Sequence, residues 1–249
     1  MNFNGHDLSA LDSLDVAGRL RWVADRFGGR AGIGTSFQRN GMLLIDLRCR
    51  HKLDGIQIYT VDTERLLPET YPFIETIDRH YGIRIDVLRP DAAEVRKMVD
   101  DHGLYLFFDS KEKQEHCCSI RKVKPNERML DKIDVWITGL RREQSAFRKQ
   151  TPLYEVLDRH GRPILKLNPL YDWTDERIVE YIRANDVPVH PLYEQGFASF
   201  GCVICTTPIR PGEDKRAGRW RWFNAVDDKK ECGLHLPAPA VPETEAETD

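Results

Sequence analysis

The chain is 249 residues long, 41% hydrophobic and 31% charged, with a formal net charge of −3. That length and apolar share support one domain with a sizeable core. No apolar run is long enough for a membrane helix, and the charge balance excludes the basic excess of a general nucleic-acid binder.

The opening "MNFNGHDLSALDSLDV" lacks the basic start, apolar run and small-residue cleavage site of a secretory signal, so a cytoplasmic setting is expected. Residues 14–28 carry apolar side chains at helical spacing and end on glycine, which reads as a helix. "AGIGTS" (31–36) reads as a short buried strand and "GMLLIDLRCRH" as a helix. "IQIYTVDT" (56–63) is a strand ending in Asp62-Thr63. "PETYPFIETIDRHYG" opens on proline and closes on glycine, as a helix does. "IRIDVLRP" follows as a strand, "DAAEVRKMVDDHG" as a helix, "SIRKVKPNERMLDK" as a helix around its proline, and "DVWITG" as a strand. "ILKLNPL" and the helix "WTDERIVEYIRAND", with Thr174 as its N-cap, form a further unit. From Val187 onward, glycine, proline and aromatic residues replace periodicity, so a loop-rich lobe is expected.

Strands that alternate with helices predict an α/β fold, a parallel twisted sheet with helices on both faces. Ligands bind such sheets beyond the carboxyl ends of the strands. Here those ends are Thr35-Ser36, Asp62-Thr63 and Gly139, which are expected to face one crevice. A single domain is expected over 1–235, with an α/β core at about 28–185 and the lobe at about 186–235. The remainder, 236–249, is proline, alanine, threonine and acid with little to bury, so disorder is expected there.

Six cysteines stand at 49, 117, 118, 202, 205 and 232. Clustered thiols in a cytoplasmic chain read as metal-binding or catalytic rather than as disulfide staples. Cys117-Cys118 is a vicinal pair, and Cys202 and Cys205 form C-x-x-C. Single buried cysteines commonly act as small hydrophobes, and Cys49, far from every motif, reads that way or as incidental. A lone zinc ion needs four sulfurs at roughly 2.3 Å around one point. Neighbouring residues on a helix point about 100° apart, which makes a vicinal pair awkward for one ion. An iron–sulfur cubane presents its irons at separate corners, so the pair favours a [4Fe–4S] cluster. A thioredoxin-type dithiol lacks the small-domain pattern that would surround it.

"CCSIRKVKP", "TGLRREQSAFR", "NPLYDWTDERIVEYI", "GCVICTTP", "GRWRW" and "ECGLH" together resemble the assimilatory adenylylsulfate reductases, within the wider group of phosphoadenylylsulfate (PAPS) reductases. The likeness runs from about Gly34 to His235, and six motifs in order make it specific. The resemblance implies an adenine-nucleotide α-hydrolase-like fold and reduction of adenosine 5′-phosphosulfate to sulfite and AMP, with thioredoxin or glutaredoxin as electron donor. It implies that Cys117, Cys118, Cys202 and Cys205 hold the [4Fe–4S] cluster. It implies that Cys232 of "ECGLH" is the nucleophile on a mobile segment, forming an S-sulfocysteine, rather than an exposed incidental thiol.

The substrate joins an anionic phosphate to an anionic sulfate, so an attacking thiolate needs cations around it. Lys122, Arg148, Arg216, Arg219 and His235 stand beside the motifs. An arbitrary arginine is a solvated surface charge; the resemblance assigns these five to the substrate, together with Asp62 and Thr63. Ser36, at a strand end before a helix, fits a phosphate resting on backbone N–H groups. Trp220 and Trp222 alternate with Arg219 and Arg221, which suits stacking on a base but more commonly packing.

The chain departs from the family in two loops. "TSFQRNG" has Gln38, Arg39 and Asn40 where a glycine is common, and "VDTERLLPET" has Glu64 in place of the glycine of D-T-G. Arg39 would suit a 3′-phosphate, which leaves the choice between adenylylsulfate, its 3′-phosphorylated form, or both open. A nucleotide-activating enzyme of the same fold, such as a sulfurylase subunit or tRNA-thiolating enzyme, would carry an S-G-G-x-D-S loop, which "TSFQRNG" is not. A non-catalytic metal-stabilised module leaves "ECGLH" without a purpose. No nucleic-acid or membrane partner is expected, and a homo-oligomer is compatible with the sequence.

Overall fold

The computed structural model describes residue 3, residues 5–223 and residue 234. Cys232, His235 and the segment 236–249 lie outside the described residues.

Six strands form one sheet in the order β3-β2-β1-β4-β6-β5. They are β1 (Ala31–Thr35), β2 (Gln57–Val61), β3 (Asp86–Leu88), β4 (Val135–Ile137), β5 (Tyr154–Arg159) and β6 (Arg162–Leu167). The first four and β6 run parallel, and β5 pairs antiparallel with β6 at the edge. Ile33 lies opposite Ile58 on one side and Ile137 on the other, so the central strand is in register with both neighbours.

The helices are α1 (Gly5–Ser13), α2 (Val16–Phe27), α3 (Arg39–Arg50), α4 (Thr70–Tyr81), α5 (Ala92–His102), α6 (Lys111–Cys118), α7 (Lys124–Leu130) and α8 (Asp175–Ala184). Successive strand residues face opposite sides, and two cores result. Ile33, Ile58, Val135, Ile137, Leu165 and Leu167 pack with α1–α4 and α8 on one face. Tyr59, Trp136 and Ile164, the alternate positions, pack with Met129 and Leu130 of α7 on the other. Gly34 lies where the second face is tightest: a Cβ there would stand 2.8 Å from the Tyr59 hydroxyl and 3.0 Å from the Trp136 indole nitrogen. Among the described residues no helix is long and apolar enough to cross a membrane.

The elements depart from the sequence expectation in five places. The strand over 83–90 shrinks to three residues, because it is an exposed edge with only β2 to pair with. β5 was not expected. It forms a hairpin with β6 through His160 and Gly161, both at positive φ (53° and 76°), as a type I′ turn requires. Helix α4 begins at Thr70 rather than at Pro68, and its proline, Pro72, still falls in the first turn. The helices α1 and α6 were also not expected; α6 starts on Ser110, whose side chain accepts from the Lys113 N–H.

The helix around Pro125 is present but not uniform. Between α6 and α7, residues Ser119–Val123 form a π turn, in which the Lys124 N–H reaches the Ser119 carbonyl. Pro125 has no N–H and its ring crowds the carbonyl a turn earlier, which accounts for the widening just before it. The Thr174 side chain caps α8 by accepting from the Arg177 N–H, as expected. From Val187 to Phe223 the described chain has only short 3₁₀ turns, so the loop-rich lobe is as read from composition.

Candidate active site

Strand β1 is flanked by β2 on one side and β4 on the other, and the chain leaves them in opposite directions. Such a switch point opens a crevice at the strand carboxyl ends. A cavity of about 480 Å³ lies there. Thr35, Ser36, Thr63 and Gly139 line it, so the ends of β1, β2 and β4 do meet at one crevice. The lobe forms its other wall.

Of the residues expected to hold substrate, Ser36, Thr63, Lys122, Arg148, Arg216 and Arg219 all line this cavity. Lys122 lies on the π turn, Arg148 donates to Gln144 Oε1 at 2.6 Å, and Arg216 and Arg219 lie on the lobe. Arg219 is buried, and it lies so close to Gly201 that a Cβ there would stand 2.7 Å from Nη2. The Ser36 hydroxyl accepts from Gln38 Nε2 at 3.1 Å, and Gln38 also donates to the Phe200 carbonyl. Arg39 stacks over the Tyr193 ring at 4.0 Å on the cavity wall.

Asp62 is not brought to the cavity. Its buried carboxylate accepts from the Glu64 N–H (2.8 Å), the Tyr71 hydroxyl (3.2 Å) and Arg89 Nε (3.2 Å). These contacts tie the turn after β2 to Tyr71 of α4 and to Arg89 beyond β3. Leu234 lines the cavity and packs beside Tyr59 and Trp136. Trp220 is buried and lines the cavity, whereas Trp222 packs on Phe107 and Phe108.

The four motif cysteines converge from two segments. Cys118, Cys202 and Cys205 line the cavity and Cys117 is buried behind them. The lobe is pinned to the loop after β2 by a Leu66–Cys202 bridge and a 2.7 Å bond from the Val203 N–H to the Arg65 carbonyl. Thr63 Oγ1 lies 3.2 Å from Cys202 Sγ, and Gln114 Nε2 donates to Cys118 Sγ at 3.0 Å. Burial, reinforced by the neighbouring Cys202 and Cys117, pushes the Cys205 thiol up to about 12. Burial raises Cys117 as well, with Cys202 adding to it and Arg65 and Arg121 opposing. Bare thiols this close resist ionisation together, and bound cations reverse that logic.

Buried donors without partners surround them, Arg65 Nη1, Arg121 Nε and Arg219 Nε, and the Trp220 indole N–H faces the Cys205 thiol. Arg65 lies within electrostatic reach of Cys117, Cys202 and Cys205, and the Trp220 N–H of the backbone donates to the Cys205 carbonyl at 3.2 Å. Orphaned donors around a thiol set fit an anionic or sulfide-bearing group. Among the described residues no three Cys, His, Asp or Glu side chains are placed to hold one metal ion. Cys49, by contrast, packs against the main core.

Arg141 was not singled out from sequence. It is 2% exposed, lines the cavity and leaves its Nε without a partner. Nor does residue type mark Arg65 or Arg121, whose Nη1 and Nε are likewise buried without a partner. The doubled arginine after β4 was visible in "TGLRREQS", but burial of a cation cannot be read from residue type.

The profile of the "Phosphoadenosine phosphosulfate reductase domain" matches residues 32–208. The chain is 42% identical over 230 residues to the adenosine 5′-phosphosulfate reductase of Rhizobium meliloti, covering 92% of this chain and 84% of that one. It is 42% identical over 201 residues to the enzyme of the same name from Allochromatium vinosum, covering 81% and 77%. Among solved structures, a phosphoadenylyl-sulfate (PAPS) reductase from Candida auris superposes with a TM-score of 0.69 at 24% identity, over 83% of this chain and 99% of that one. A Candida glabrata FMN adenylyltransferase shares the fold more distantly, with a TM-score of 0.52 and 14% identity over 82% and 70%.

Proposed function

This chain belongs to the phosphoadenosine phosphosulfate reductase family, and from that premise we propose that it reduces adenosine 5′-phosphosulfate to sulfite and AMP. The observation that carries the reading is the single cavity in which Lys122, Arg148, Arg216 and Arg219 stand with three of the four motif cysteines. Relatives named for that activity support the choice of substrate.

The cationic wall offsets the repulsion between a thiolate and a doubly anionic phosphosulfate. Arg forks grip phosphate and sulfate oxygens in pairs, and the strand-end loop at Ser36 offers backbone N–H groups to phosphate. Cys232 is the nucleophile of this reading, and Leu234, two residues along the chain, lines the cavity. Its thiolate attacks the sulfate sulfur, the bond from that sulfur to the bridging phosphate oxygen breaks, and AMP leaves with the electron pair. The enzyme then carries an S-sulfocysteine. A thioredoxin thiolate attacks Cys232 Sγ, sulfite departs, and the second thioredoxin thiol resolves the mixed disulfide, leaving thioredoxin oxidised and Cys232 reduced. Glutaredoxin would serve by the same exchange. The reading puts the reaction in the cytoplasm, where such dithiols are kept reduced.

Cys117, Cys118, Cys202 and Cys205 are the residues that would hold a [4Fe–4S] cluster, and Arg65, Arg121 and Trp220 would donate toward it. Such a cluster would supply iron to compensate the crowded thiolates and one-electron redox capacity.

A second reading, the 3′-phosphorylated substrate, is favoured by Arg39 on the cavity wall. Sulfite release from both sulfonucleotides decides between them, with adenylylsulfate expected to have the higher kcat/KM. Without reductant, mass spectrometry should find one added sulfonate on the Cys232 peptide, and Cys232→Ser should bind AMP yet release no sulfite. Iron should be lost in a serine variant of any of the four motif cysteines and kept in Cys49→Ser. An adduct on another cysteine, or turnover by Cys232→Ser, overturns the mechanism.

A further inference from the structure

One ion network joins the lobe to the core along the cavity wall. Asp175, the first residue of α8, accepts from Arg141 Nη2 and from Lys215 Nζ. The buried Arg141 also donates from Nη1 to the Trp173 carbonyl at 2.6 Å. Glu143 completes the group: it accepts from the Asp175 backbone N–H at 3.1 Å, and its carboxylate lies 3.7 Å from Arg141 Nη1 and 3.9 Å from Lys215 Nζ. Arg141, Asp175 and Lys215 all line the cavity. Lys215 directly precedes Arg216, inside a turn closed by the Arg216 N–H on Asp214 Oδ1 (2.8 Å) and the Ala217 N–H on the Asp214 carbonyl (2.9 Å).

Two cations and two carboxylates make this group neutral, so it adds little to the field that attracts an anion. What it supplies is geometry. Ion pairs that bridge segments distant in sequence restrict their relative motion, and a misplacement of about 1 Å at a reacting centre can cost about 100-fold in rate. We propose that Asp175 is a positioning residue: through Lys215 it holds the turn bearing Arg216 against the cavity, and it holds Arg141 in the wall at the same time. The proposal rests on the reading that this cavity takes a sulfonucleotide.

A positional role and an electrostatic one predict opposite signs. Asp175→Asn leaves two cations less neutralised beside an anionic substrate. If charge alone mattered, kcat/KM for adenylylsulfate would rise. Positioning requires it to fall, by about tenfold for coupling of the size seen between contacting groups. Lys215→Ala, a substitution on an exposed turn, should fall to a similar degree with thermal stability unchanged. The double variant should be no worse than the poorer single variant, and Lys215→Arg should retain most of the wild-type value. Hydrogen exchange, read on the protein without substrate, should speed up across residues 210–219 in Asp175→Asn. Unchanged exchange in that segment, a raised kcat/KM, or losses that multiply in the double variant overturn the proposal. Wild-type protein inactive on both sulfonucleotides would instead overturn the functional reading, and the exchange result would still decide this one.

Discussion

Gly201 fixes where Arg219 can lie. A Cβ at 201 would stand 2.7 Å from Nη2, 3.0 Å from Nη1 and 3.1 Å from Cζ of that arginine, so something must move. The obstructing atoms are the far end of a long side chain, which yields more easily than backbone does. Gly201→Ala is therefore expected to leave the fold intact, with a melting temperature close to wild type, while displacing the guanidinium from the cavity wall. Its kcat/KM for adenylylsulfate should fall about tenfold or more, on the scale of a lost preorganised cation. A variant with full activity would show that Arg219 does not contact the reacting groups. Residue type alone marked Arg219 as one cation among many; its burial beside Gly201 and Trp220 is a property of the fold.

The segment from α6 to α7 carries Cys117, Cys118 and Lys122 on one nearly continuous helical path. Side-chain direction along a helix advances about 100° per residue, so a π turn re-aims everything on one side of it relative to the other. Here the turn lies between the cysteine pair and α7, with Lys122 inside it. Removing its cause should straighten the path. Pro125→Ala restores the missing N–H and removes the ring clash, so far-ultraviolet circular dichroism should keep or gain helix. Iron per chain and sulfite release should both fall, because Cys118 and Lys122 lose their common aim at the cavity. Unaltered iron content and activity in this variant would mean that the π turn is incidental to the site.

The lobe docks on the core through a buried histidine. His190 packs between Phe73 of α4 and Phe200 of the lobe, with ring centroids 4.8 Å and 4.6 Å away. Its Nδ1 accepts from the Leu192 N–H at 3.3 Å and its Nε2 lies 3.2 Å from Thr70 Oγ1. Nδ1 therefore carries no proton, and protonation would remove the acceptor that caps the turn at Pro191–Tyr193. Burial lowers this imidazole to about 4 from 6.5, with the charge of Glu69 opposing. Above pH 6.5 both folded and unfolded histidine are neutral and the docking is fully stable. As pH falls from 6.5 to about 4 the unfolded chain takes up the proton and the folded chain does not, so stability declines across that window. Denaturant titrations at pH 7 and pH 4.5 should show the loss in the wild type and a smaller difference in His190→Gln. Equal pH dependence in both proteins would place the acid sensitivity elsewhere.

Periodicity and punctuation in the sequence determined most of the elements, because a helix or strand that buries one face must repeat its apolar residues at the matching spacing. They also determined the parallel α/β class and where a ligand would enter, since strands that alternate with helices leave their carboxyl ends together. The edge hairpin of β5 and β6 escaped because His160-Gly161 is a weaker turn signal than Asn-Gly, and the π turn escaped because it depends on one proline within an otherwise helical pattern. The cysteine spacing and the six motifs identified the candidate chemistry, yet only the tertiary structure decided which residues share the cavity. Asp62 stands beside Thr63 in the chain but turns its carboxylate toward the Glu64 N–H, Tyr71 and Arg89. Arg141 and Asp175 belong to separate segments and meet the lobe only through folding. Contacts between residues far apart in sequence depend on packing of whole elements, and no local pattern records which side chain packing will bury, orphan or pair.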